Sequence, residues 1–293
     1  MRLNTMLAVV ASMALSTVAM AQSHETYNPA ETPNNTYVPG APLQVLGSPS
    51  LLDTRPGLVT LPGAGAGGAD VSRLQNASLG MTTLGGNVSF SASFRMAEDF
   101  VVTGSGWTVN DITVYAYQTN SPTTSSLTGL YLQIWDGDPS LATSNVIFGD
   151  TTTNVMTSTA FSNIFRDSEG TPDVTNRPIM AATAAGLNIN LPAGTYWLDW
   201  SVAGSLASGP WAPPLTTVGQ ATTGNAMQFA SGVWGPFNDS GSATQQGLPM
   251  TIGGTVGGVP LEPARELPVN SNWLLLALLG GLLGIGALAM NRR

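Results

Sequence analysis

Thr195-Tyr196-Trp197-Leu198-Asp199-Trp200-Ser201-Val202 decides the fold class. Along an extended chain, successive side chains point to opposite faces. Tyr196, Leu198, Trp200 and Val202 then share one apolar face, while Trp197, Asp199 and Ser201 share the other. The same alternation recurs at Val88–Phe94, Phe100–Thr103, Trp107–Tyr117, Leu130–Trp135, Leu187–Leu191, Asn225–Phe229 and Leu248–Ile252. Gly, Pro, Asn and Asp punctuate the intervals. No long segment of helical period lies between the two chain ends. This pattern predicts an all-β fold over residues 87–256, a single antiparallel β-sandwich of jelly-roll or immunoglobulin-like type.

Upstream, residues 22–86 are rich in Pro, Asn, Thr and Gly and include the run Gly63-Ala-Gly-Ala-Gly-Gly68. That composition predicts a poorly structured region, with short strands near Leu43–Leu46 and Leu58–Leu61. Residues 257–266 read as a Gly/Pro linker. No clear internal repeat is present.

The chain ends carry the addressing information. Met1-Arg2 precedes an apolar stretch from Met6 to Met20, and Ala19-Met20-Ala21 is a small-x-small cleavage site. Residues 1–21 therefore read as a signal peptide removed by signal peptidase, with Gln22 as the mature start. A first transmembrane helix is the alternative, for which the stretch is short. At the other end, Leu267-Pro-Val-Asn-Ser-Asn-Trp273 leads into an uncharged apolar run, 274–290, followed by Asn291-Arg292-Arg293. With Trp273 the run spans roughly 27 Å as a helix, enough to cross a bilayer core. The arginine pair belongs on the cytoplasmic side.

This end resembles the C-terminal sorting signals read by exosortases, the PEP-CTERM class, and in particular the variant Ile-Pro-Thr-Leu-Ser-Glu-Trp. Pro268 and Trp273 keep its spacing, Ser271 matches, and Leu267 stands for Ile. Val269, Asn270 and Asn272 depart from it, and Pro-Glu-Pro itself is missing. The resemblance implies transport through the inner membrane, cleavage near the motif by a membrane-embedded protease, and display at the surface or release. A sortase signal and a permanent anchor are the alternatives.

Cutting near Pro268 would leave six arginines, no lysine and all 17 acids, a net charge of −11. A surface this acidic repels phosphates and argues against nucleic acid as a partner. Cysteine is absent, which excludes disulfides, thiolate catalysis and a lipoprotein anchor. Without lysine there is no Ser-Lys dyad, Schiff base or P-loop. The single histidine, His24, lies three residues into the mature chain, so a Ser-His-Asp triad would require that tail to dock.

Carboxylates, hard cations and aromatic surfaces remain. Asp136, Asp138 and Asp150 flank a Gly-containing loop and are candidates for Ca²⁺, against the simpler reading that they build turns. Asp167, Glu169 and Asp173 read as a second acidic loop. Asp199, flanked by two tryptophans, has the setting for a raised pKa, and its place opposite the core face makes it outward or groove-facing. A glycoside hydrolase would need a second acid beside it, and none can be assigned from sequence. Trp211 in Gly209-Pro-Trp-Ala-Pro-Pro214 and Trp234 in Gly232-Val-Trp-Gly-Pro236 sit on rigid loops. With Trp197 and Asp199 they form a candidate carbohydrate site, against the reading that they plug the ends of the core. The expectation is an exported surface or matrix protein with a structural or adhesive role. It has no assigned catalytic residues, and exopolysaccharide is a possible ligand.

Overall fold

The computed structural model describes residues 22–31, 50–54 and 57–257. Ala19, Ala21, the stretch Leu43–Leu46, the linker from 258, Leu267, Pro268, Ser271, Trp273, the run 274–290, Arg292 and Arg293 lie outside the described residues. No helix among the described residues is long and apolar enough to cross a membrane.

The described chain is all-β. Its first strands are β1 (His24–Thr26), β2 (Ser50–Thr54), β3 (Asp70–Leu74), β4 (Thr83–Asn87) and β5 (Arg95–Val102). The middle ones are β6 (Trp107–Ala116), β7 (Leu127–Trp135), β8 (Val146–Gly149), β9 (Ser158–Ser168) and β10 (Pro178–Leu191). There follow β11 (Gly194–Gly204), β12 (Trp211–Ala212), β13 (Met227–Ala230), β14 (Val233–Pro236) and β15 (Met250–Val256). One six-stranded sheet runs β2-β15-β6-β10-β9-β3 and another β14-β13-β5-β11-β7-β8, with a small sheet β1-β4-β12 beside them. Every pairing is antiparallel except β3 with β9.

Side chains from both six-stranded sheets share one apolar core. Val109, Ile112 and Val114 of β6 meet Leu130, Leu132 and Ile134 of β7 there, with Leu198, Trp200 and Val202 of β11. The inward face of β11 is therefore the one its alternation selects. Its other face is covered as well, so β11 is buried on both sides from Tyr196 to Val202.

Residues 22–86, expected to be poorly structured, supply strands to two sheets. β1 pairs with β4, and β3 pairs with β9. Polar anchors hold the described parts of this stretch in place. Arg177 donates from Nε to Glu25 at 3.0 Å and from Nη2 to Glu31 at 2.8 Å, fastening the segment that carries β1. Asp239 accepts backbone N–H groups from Thr82, Thr83, Gly241 and Ser242, pinning β4 to the loop after β14. Gly86 permits the small sheet to close, since a Cβ there would meet Met96 Cε and the Phe237 ring.

Of the second acidic loop, Glu169 and Asp173 lie in turns as expected, whereas Asp167 belongs to a strand. Arg166 and Asp167 end strand β9, both buried. Asp167 accepts from Arg73 Nε at 2.9 Å. Arg166, fully buried, donates to Leu84 O, Thr83 O, Ser72 Oγ and Thr216 Oγ1. Val88–Phe94, expected as a strand, instead reverses direction. Ser89 makes a single parallel bridge to Val202, and Phe90–Ala92 form a 3₁₀ turn closed by Ser93 at φ 59°. A reversal is needed because β5 must return antiparallel to β11.

Candidate functional site

The site is built on the face of the second sheet that points away from the shared core. Cross-strand register places Trp197 opposite Trp135, and Asp199 opposite both Gln133 and Ala97. Arg95 begins β5 opposite Phe229, which in turn lies opposite Trp234. Five strands thus bring Arg95, Trp135, Asp199, Phe229 and Trp234 to one place.

Asp199 is only 1% exposed. Arg95 Nε donates to its Oδ1 at 3.0 Å, Arg95 Nη2 lies 2.8 Å from Oδ2, and the Trp135 indole N–H donates to Oδ2 at 3.0 Å. Burial pushes the Asp199 carboxyl up to about 6, against the Arg95 charge and the Trp135 N–H, which favour the anion. The Arg95 guanidinium stacks over Phe229 at 4.5 Å and Trp234 at 5.0 Å. A two-point ion pair and two rings hold this arginine in one orientation.

Of the candidate sugar-site residues, the structure gathers Trp197, Asp199 and Trp234 around this cluster. Trp197 is buried against Ala97 and Met227. Asp199 lies on the expected side of β11 but is covered, because Arg95 and Trp135 close over it. Trp211 stands apart: its indole N–H donates to Ser208 Oγ at 3.0 Å, and its ring packs against the cluster of Leu58, Tyr117, Ile164 and Ile179. Arg95 and Phe229 were not singled out from sequence. Arg95 is one of few cations in an acidic chain, and that scarcity was the available signal.

Beside the arginine lies an open depression of about 250 Å³. Phe90, Phe94, Phe229, Arg95, Thr151 and Ser201 line it. Phe90, 37% exposed, stacks on Tyr131 with ring centroids 3.8 Å apart and planes 10° apart.

The calcium candidates are occupied by their own turns. Asp136 accepts from the Asn145 N–H, Asp138 from the Ser140 N–H, and Asp150 from the N–H groups of Thr152 and Thr153. Those contacts hold the Asp136 and Asp150 carboxyls below the usual range. Among the described residues, no group of three or more His, Cys, Asp or Glu side chains gathers as a metal site.

His24 does dock, contrary to the difficulty foreseen for it. Its Nδ1 is 3.0 Å from Ser240 Oγ and its ring stacks on Phe237. Burial lowers its pKa, with Asp239 opposing. Nε2 is buried without a partner among the described residues, and the Asp239 oxygens accept from backbone N–H groups instead. Among the described residues no carboxylate orients the imidazole, so His24, Ser240 and Asp239 lack the geometry of a triad.

Comparisons with protein-family models, curated proteins and solved structures find no match to this chain.

Proposed function

We propose that this chain is an exported bacterial surface or extracellular-matrix protein with a structural or adhesive role. In this reading it is carried and cut through its C-terminal signal, with signal peptidase and an exosortase-like membrane protease as processing partners. The observation that carries it is the arrangement Leu267–Arg293: a Pro- and Trp-containing motif, one apolar span and a terminal arginine pair. The body is a β-sandwich in this reading, which the single core shared by two six-stranded sheets supports. Such a body suits a passive role outside the cell, since it holds together without disulfides.

Intact mass with mapping of both ends, on protein from envelope and medium, tests this. A start at Gln22 and an end between Glu266 and Trp273 is the expected result. Retention of Arg293 would mean a single-span anchored protein and would overturn processing.

A second reading, binding of exopolysaccharide, is favoured by the aromatic and arginine cluster on the outer face of the second sheet. A carboxylate hydrolase has less support, because Arg95 and Trp135 engage both oxygens of Asp199.

A further inference from the structure

We infer that the depression between Phe90, Phe94, Arg95 and Phe229 binds a neutral polysaccharide, seating one pyranose ring at a time. This deepens the exopolysaccharide reading and rests on it. The site differs from the tryptophans that sequence had singled out. Those are mostly covered or, for Trp211, in another cluster.

Three observations converge on this ligand class. The first is size. About 250 Å³ lies just below the roughly 300–1,000 Å³ of pockets for small drug-like molecules, which suits a single sugar ring in an open trough.

The second is a set of unspent polar groups at the same place. Among the described residues, the hydroxyls of Thr151 and Ser201 have no hydrogen-bond partner, and neither does Arg95 Nη1. Ser201 follows Asp199 on the same face of β11, so its hydroxyl sits beside the fixed guanidinium. A hydroxyl both donates and accepts, while the guanidinium only donates. Together they match the mixed donor and acceptor edge of a sugar. Purely apolar ligands would leave these groups unsatisfied, at a cost in affinity.

The third is the aromatic platform. Phe90 presents a partly exposed ring stiffened by Tyr131 behind it, and Phe94 and Phe229 add further ring surface. The apolar C–H face of a pyranose packs on such a surface, while its hydroxyls point to the rim. Preorganisation matters here, since Arg95 is already locked by Asp199, Phe229 and Trp234 and loses little freedom on binding.

Charge selects the neutral class. The Arg95 charge is already matched by Asp199 at 2.8 Å. The chain as a whole is strongly acidic, at −8. A polyuronate would meet a net repulsive field, and no cation besides Arg95 lines the depression to compensate.

Affinity electrophoresis and calorimetry on the protein purified as the cell makes it test the inference. The probes are mixed-linkage β-glucan and galactomannan as neutral polymers, with alginate and polygalacturonate as polyanions. Binding to at least one neutral polymer is expected, and none to the polyanions. Phe90→Ala should weaken that binding roughly tenfold, a loss near the upper end for one stacked ring. Because Phe90 is part-exposed, its replacement should leave Tm close to that of the parent. Arg95→Lys, which keeps a positive charge beside Asp199 but removes Nη1, should weaken binding as well. Neutral binding that both variants retain in full would overturn this site while leaving the exopolysaccharide reading in place. Binding to the polyanions alone would overturn the neutral class. No binding to any polymer would overturn both, and the termini-mapping result would stand independently of either.

Discussion

Asp199 carries a charge into a place that water barely reaches, and the chain answers with Arg95 and Trp135. The balance has a measurable consequence. Its folded pKa, about 6, lies above the 3.8 of an ordinary aspartate. The native state therefore holds the proton more tightly than the unfolded state between those values. This residue's contribution to stability is full below about pH 4 and is lost as pH rises through about 6. Urea unfolding across pH 4 to 7 should show that slope in the parent and its absence in Asp199→Asn. An identical pH profile for the two would contradict the account. Asp239, although buried, is held below the usual range by its backbone N–H donors, so its contribution has the opposite sign and is lost only on further acidification. Which side of β11 Asp199 takes was legible from alternation alone. That Arg95 would cover it was not, since residues 104 positions apart meet only when β5 and β11 pair.

Among the elements, β1 depends most visibly on a distant partner. Three residues of pairing with β4 are a thin hold, and Arg177 adds two carboxylates, Glu25 and Glu31. Replacing Arg177 with Met should strand both acids and cost about 3–5 kcal/mol, the range for breaking a buried ion pair from one side. Local loss of the N-terminal segment should accompany it, seen as fast amide exchange at residues 24–26 while the β6 and β11 amides stay protected. Unchanged protection at β1 would show that backbone pairing alone suffices. The long strands β6, β7 and β11 were readable because one apolar face repeats cleanly. β9 was not, because Arg166 and Asp167 look like solvated loop residues until acceptors from other segments surround them. Val88–Phe94 erred in the other direction: its alternation satisfies a strand, yet the chain must turn there to reach β5.

For the molecule as a whole, the absence of cysteine leaves packing, hydrogen bonds and a few arginine–carboxylate pairs to hold the sheets. The loop carboxylates fit that pattern. With Asp136, Asp138 and Asp150 each accepting from its own turn, EDTA is expected to leave Tm unchanged. A clear fall in Tm on chelation would instead place a cation at that loop. The all-β class, the inward face of β11, the acidic balance and the motifs on which the proposed export rests were read from sequence alone. Each is a local property, carried by a period of two, a net count or a short contiguous motif. The strand order, the docking of residues 22–31, and the meeting of Arg95 with Asp199, Phe229 and Trp234 beside an open trough were decided only by the tertiary structure. Each requires segments far apart in the chain to be brought into register, and hydrophobic periodicity holds no record of which strand will neighbour which.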